Sequence, residues 1–133
     1  MAGYDGYSKS NNAVDAEADG RYPLTKAARI VARETGVTIK EARRILQELG
    51  TGEWHHSSKF YNAVNYYDTT AAVKTIELSR RLNMTCDASF IATIKACDLQ
   101  NEGDPLATLQ HPDDKYSYTV ERFRQAVETG EWL

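Results

Sequence analysis

The stretch that decides the fold runs from Leu24 to Leu49 and reads LTKAARIVARETGVTIKEARRILQEL. Two helical patterns flank the tripeptide Gly36–Val37–Thr38. After Pro23, Thr25 is expected to cap the first helix, Ala28, Ile30, Val31 and Ala32 supply its apolar stripe, and Gly36 provides a left-handed stop. Thr38 then caps the second helix, and Glu41 three residues later completes a T-x-x-E capping box. Ala42, Ile45, Leu46 and Leu49 recur at helical spacing until Gly50 ends the run. The stretch therefore predicts a helix–turn–helix hairpin. Ala32 is the small residue where the helices approach, and Val37, Ala42 and Ile45 fill the space between them.

Working outward, residues 50–68 read GTGEWHHSSKFYNAVNYYD. Aromatic residues are dense there, helical periodicity is absent, and Gly, Ser and Asn punctuate the run. This predicts a loop or short β-hairpin whose Trp54, Phe60, Tyr61, Tyr66 and Tyr67 pack over the helices. Asp68 or Thr69 opens a third helix to about Leu82, with Ala72, Val73, Ile76 and Leu82 facing inward. Asp87 caps a fourth helix to about Leu99, with Phe90, Ile91, Ile94 and Cys97 on its apolar face. Residues 101–115 hold Gly103, Pro105 and Pro112 and read as mostly loop. Ser117 or Thr119 opens a last helix with Val120, Phe123 and Val127, ended by Gly130. The expected fold is mainly α: a helical domain with an N-terminal helix–turn–helix hairpin, an aromatic loop or short β-hairpin, and about three further helices. Residues 1–20 have almost no aliphatic side chains and are expected to form a flexible N-terminal arm, with a short helix over Asn12–Asp19. Residues 21–133 are expected to form a single helical domain, made of the hairpin 24–49, the aromatic loop 50–68 and the helical part 69–133. The tetrapeptide Thr51–Trp54 recurs as Thr129–Trp132, which reads as a shared helix stop with the Trp folding back.

With 41% hydrophobic and 26% charged residues, the composition is that of an ordinary globular protein. Its apolar runs are a few residues long, far short of the roughly 20 that span a bilayer, so no membrane contact is expected. The N-terminus has no charged region followed by an apolar one, so no secretory signal is expected. Cys86 and Cys97 then read as reduced core residues. Net charge is −3, but it is polarised. Residues 21–48 carry seven Lys or Arg against three Glu, whereas residues 99–133 carry three basic and seven acidic groups. A basic hairpin between acidic ends can attract phosphates, while the acidic remainder opposes strong non-specific binding to nucleic acid.

Two constellations carry candidate chemistry. On the hairpin, Lys40, Arg43 and Arg44 of the second helix and Lys26, Arg29 and Arg33 of the first are expected to be exposed. In a DNA-binding reading, Lys40, Arg43 and Arg44 meet phosphates or base edges in the major groove. An ordinary α-hairpin with a solvated charged face has the same pattern. The second constellation is Trp54–His55–His56. Adjacent histidines on a strand diverge and make a poor chelate, and His111 lies far along the chain, so no metal site is expected. Trp, His and Tyr are instead typical of binding hot spots. Nucleotide-binding loops, nucleophile elbows and H-E-x-x-H are all absent. The expectation is a binding protein, without enzymatic activity or cofactor.

Two blocks carry a resemblance. Ser10–Asn11–Asn12–Ala13, with Ala16, Gly20, Pro23 and Leu24, is similar to openings of small bacteriophage and prophage proteins. So is Glu53–Trp54–His55–His56–Ser57–Ser58–Lys59–Phe60–Tyr61–Asn62, with Tyr66–Tyr67 after it. Together they cover roughly the first half of the chain. The resemblance implies a phage or mobile-element source and the cytoplasm of a bacterial host, with no settled activity. One expectation that follows is an anti-CRISPR-like inhibitor that binds a host-defence complex, such as a CRISPR-Cas effector, and blocks a nucleic-acid or subunit surface. Trp54, His55, His56, Phe60, Tyr61, Tyr66 and Tyr67 would anchor it. The other is a helix–turn–helix DNA-binding transcriptional regulator using Lys40, Arg43, Arg44, Arg29 and Arg33. A homodimer is compatible with both.

Overall fold

A computed structural model describes residue 17 and residues 19–50, 53–56, 63–110 and 119–131, with only the backbone described at 53–56, 63 and 64. Among these residues the elements run β1 (Arg21–Pro23), α1 (Leu24–Thr35), α2 (Ile39–Leu49), β2 (Glu53–His56), β3 (Ala63–Asp68), α3 (Thr69–Arg81), α4 (Ala88–Ala96), a 3₁₀ turn η1 (Leu99–Asn101), α5 (Pro105–Gln110) and α6 (Val120–Thr129). The fold is mainly helical, and the chain divides between Thr70 and Ala71 into two compact units.

In the first unit the helix–turn–helix forms as its caps dictate. The Thr38 hydroxyl accepts a 3.0 Å hydrogen bond from the Glu41 N–H, and Gly36 closes α1 at φ 82°, its N–H donating to the Ala32 carbonyl. Gly50 closes α2 at φ 62°. Both glycines take the left-handed conformation that L side chains avoid. The first helix starts two residues earlier than expected: Pro23 stands at its cap without a side-chain hydrogen bond, and Thr25 lies inside the helix. Its buried face also differs from the expected stripe. Ala27, Ala28, Val31 and Thr35 are buried, while Ile30 and Ala32 are half-buried. The buried set follows the i, i+4, i+8 row through 27, 31 and 35, which places Ile30 off the facing side. Val37 is likewise only half-buried. On α2 the expected face holds: Ala42, Ile45, Leu46 and Leu49 are buried, and each large aliphatic contributes about 1.5–3 kcal/mol through burial.

Residues 53–68 form the hairpin, β2 pairing antiparallel with β3 from Glu53↔Tyr66 to His56↔Ala63. A third strand, unanticipated from the sequence, completes the sheet. Arg21–Pro23 pairs antiparallel with the other edge of β3, giving the order β1-β3-β2. Arg21 lies directly opposite Asp68, and their side chains form an ion pair at 4.0 Å. Gly20 locks this edge. Its carbonyl accepts from the Thr69 N–H at 3.0 Å and from the Thr69 hydroxyl at 2.7 Å. The predicted Asn12–Asp19 helix and most of the arm fall outside the described residues.

The second unit holds more helix than expected. Besides α3, α4 and α6, Pro105 opens α5 where a loop was expected. Proline suits a first helical position, and the Asp104 carboxylate caps the turn by accepting from the Ala107 N–H at 3.3 Å. Asp87 caps α4 through the Phe90 N–H at 2.9 Å, and Thr119 caps α6 through the Arg122 N–H at 3.2 Å. The fourth helix stops at Ala96, short of Leu99, because Asp98 turns left-handed at φ 56° and leads into η1. Phe90 and Phe123 are fully buried and meet edge to face at 5.4 Å and 81°, joining α4 to α6. Buried hydroxyls return to their own helices, Thr75 to the Ala71 carbonyl and Thr93 to the Ser89 carbonyl, which satisfies them without a partner helix. Val73, Cys97 and Val127, expected to face inward, are half-buried. Cys86 and Cys97 are not joined by a disulfide, and both are half-buried. No helix among the described residues is long and apolar enough to cross a membrane.

The repeated tetrapeptide serves two different purposes. Gly50 has already closed α2 ahead of the first copy, which leads into β2. In the second copy Thr129 ends α6 and Gly130 closes it at φ 75°. The side chain of Trp54, and Trp132 altogether, lie outside the described residues.

Candidate nucleic-acid interface

The seven cations of residues 21–48 divide by what they touch. Arg21 pairs with Asp68 across the sheet. Lys26 is exposed, and its ammonium sits 4.9 Å from the centre of the Tyr22 ring, a cation–π distance. Arg44 is held within its own helix, donating to Glu41 one turn before it and to Glu48 one turn after. Partial burial of the Arg44 guanidinium works against its charge, but the two carboxylates outweigh this and raise its pKa above the ordinary arginine value. The side chain is still 39% exposed, so the cluster contributes at most about 1 kcal/mol to stability. Its main effect is geometric, in that one arginine keeps two carboxylates folded along the helix.

The other four cations are exposed: Arg29 and Arg33 on α1, Lys40 and Arg43 on α2. Among the described residues none of them makes an ion pair. Arg29 and Arg33 are four apart and share the face of α1 opposite its buried row. On α2 the spacing works likewise. Burial of 42, 45, 46 and 49 turns 40, 43 and 47 outward, and Lys40, Arg43 and Gln47 are exposed, as is Ile39, which stands in the first turn about 20° around the helix from Leu46. Ile39 is 49% exposed, the single large hydrophobic side chain so placed among the described residues. It occupies the first helical position after the Thr38 cap. A shallow depression on this side of α2 is lined by Thr38, Lys40, Arg43 and Gln47 together with the Arg44 cluster.

Sequence reasoning had grouped Lys40, Arg43 and Arg44 as equals. The structure separates Arg44 from the pair, and the signal was present in Glu41 at i−3 and Glu48 at i+4. Ile39 and Gln47 were not singled out, because a helix face must be known before exposed positions on it can be chosen.

The aromatic segment distributes differently. Tyr66 is buried at 8% exposure, and Tyr67 is half-buried beside its strand partner Tyr22. Trp54, His55 and His56 lie on β2, with their side chains outside the described set, as are Phe60, Tyr61 and His111 altogether. No group of three or more His, Cys, Asp or Glu among the described residues is placed to hold a metal ion. Compared with protein-family models, with curated proteins and with solved structures, the chain matches none.

Proposed function

We propose that the first unit is a duplex-DNA-binding module of the helix–turn–helix type, with α2 as the helix that enters the major groove. The observation that carries this is the sorting of cations. With Arg21, Lys26 and Arg44 engaged internally, α2 still presents Lys40 and Arg43 outward on one face beside Gln47. The connectivity supports the reading. The hairpin after the helix–turn–helix pairs back onto the strand before the first helix, so the two helices are tied at both ends to one three-stranded sheet. Of the seven residues that would anchor inhibition of a host-defence complex, Tyr66 is buried and Tyr67 half-buried, and the side chains of the other five lie outside the described residues.

The test is binding to a 20-base-pair duplex followed by fluorescence anisotropy between 50 and 200 mM salt. Each phosphate contact lowers the slope of log K against log salt by about 0.9. With Arg29, Arg33 and Lys40 on phosphates and Arg43 turned to the base edges, the slope is expected to be about −2.7. Lys40→Ala should make it shallower by about 1. Absence of binding at 50 mM salt overturns the reading.

A further inference from the structure

We infer that α2 reads base sequence through Ile39, Arg43 and Gln47, selecting a short duplex core in which a G·C pair stands between a thymine and an A·T pair. This rests on the DNA-binding reading above. The three residues are spaced by four, so successive side chains climb about 6 Å along the helix and drift about 40° around it. From 39 to 47 the rise is about 12 Å, matching three to four base steps of about 3.4 Å. An α-helix lying in the major groove therefore sets successive side chains against base pairs about two steps apart.

The chemistry of each position names its base. Arg43 is exposed and without an ion-pair partner among the described residues, and its planar fork matches the O6 and N7 acceptors of guanine. Gln47 is exposed one turn further on, with a donor and an acceptor that match the N7 and N6 of adenine. Ile39 leaves half its apolar surface in water, an arrangement relieved by the thymine methyl, the one apolar group on the major-groove edge. Lys40 shares this outward face, about 20° around the helix from Gln47, so it is set apart by its chemistry and not by its direction. As a flexible point charge it suits a phosphate rather than a base.

Arg44 completes the account by what it withholds. Glu41 and Glu48 lie on one side of α2, beyond Arg44 from the reading residues, and would repel phosphates if free. Arg44 binds both, so their charge is neutralised in part within the helix and the arginine is not available to a base.

The experiment is selection of the full chain against a randomised duplex library at moderate salt, followed by affinities of the wild type, Arg43→Ala, Gln47→Ala, Ile39→Ala and Lys40→Ala for the selected and a scrambled duplex. The expected result is an enriched core holding the three pairs in this order. Arg43→Ala should lose about 5- to 150-fold on the selected duplex, little on the scrambled one, and its preference at the G·C pair. Gln47→Ala should relax the A·T position alone, and Ile39→Ala the thymine alone. Lys40→Ala should weaken both duplexes equally. Binding with no enriched core overturns the base readout while leaving DNA binding intact, and an enriched core that survives Arg43→Ala and Gln47→Ala overturns the assignment to α2. Failure to bind any duplex overturns both this inference and the reading beneath it.

Discussion

Replacing Gly36 by alanine probes the turn on which the reading helix depends. Gly36 sits at φ 82°, and a methyl group built on it meets no atom within 4 Å. The penalty is therefore torsional rather than steric. A left-handed conformation costs an L-residue about 1–2 kcal/mol, and the stiffer unfolded chain returns about 0.4–1 kcal/mol, so a net loss of about 1 kcal/mol is expected. The hydrogen bond from the residue-36 N–H to Ala32, 2.8 Å in the native turn, needs no glycine and is retained. Urea unfolding reads the loss in the first unit once Trp132 is changed to Phe, because Trp54 is then the sole tryptophan. With a slope of about 2 kcal/mol per molar urea, the midpoint should fall by about 0.5 M without a change in slope. Gly36→Asn should lie between the two, since asparagine tolerates the left-handed region. Gly20→Ala is the steric counterpart. It has the same φ of 82°, but its new methyl lies 3.0 Å from the Thr70 hydroxyl, so it should destabilise more than Gly36→Ala. A wild-type midpoint for Gly36→Ala, or an asparagine variant as unstable as the alanine one, refutes the reasoning.

Other perturbations separate stability from recognition. Phe90→Ala removes a fully buried ring and its edge-to-face contact with Phe123. It should destabilise the second unit by about 3–5 kcal/mol, visible as a lowered thermal transition in circular dichroism. Thr38→Ala deletes the α2 cap and should cost about 1 kcal/mol by urea titration, with Thr38→Ser close to wild type. Arg44→Ala should change stability by less than about 1 kcal/mol yet weaken duplex binding by releasing Glu41 and Glu48. Adding Glu48→Gln to that variant should restore affinity in part, whereas an unrestored double variant would mean that Arg44 itself contacts the duplex.

What was legible in the sequence followed from local chemistry. The caps at Thr38, Asp87 and Thr119 and the stops at Gly36, Gly50 and Gly130 are each decided within four residues, and all six are observed. Boundaries are misplaced where such a residue is passed over, as Thr25 is at the start of α1, or where none stands. α4 ends through a left-handed Asp98, which no glycine announces. The strand Arg21–Pro23 was not legible because three residues carry no periodicity. It exists through pairing with residues 66–68, more than forty positions away. The site was half legible. Basic residues on α2 were evident from the string, but their division into engaged and outward groups required knowing which face of the helix is buried.

The charge balance also argues that phosphate attraction cannot be the whole of recognition. The chain is net −3, and of the four outward cations on the hairpin Arg43 is assigned to a base, which leaves one copy about three phosphate contacts. With a slope of about −2.7, raising salt from about 50 to 200 mM weakens such binding by roughly 40-fold. An electrostatic module this small therefore releases DNA under physiological conditions unless other contacts hold it. Base contacts respond weakly to salt, because they release no counterions from phosphates. Ile39, Arg43 and Gln47 are the exposed side chains of α2 with the chemistry to supply them. Selected and scrambled duplexes should accordingly share one salt slope and differ by a constant factor at every salt concentration. A difference that vanishes as salt rises would place the discrimination in phosphate contacts, and would remove the physical ground for a reading helix.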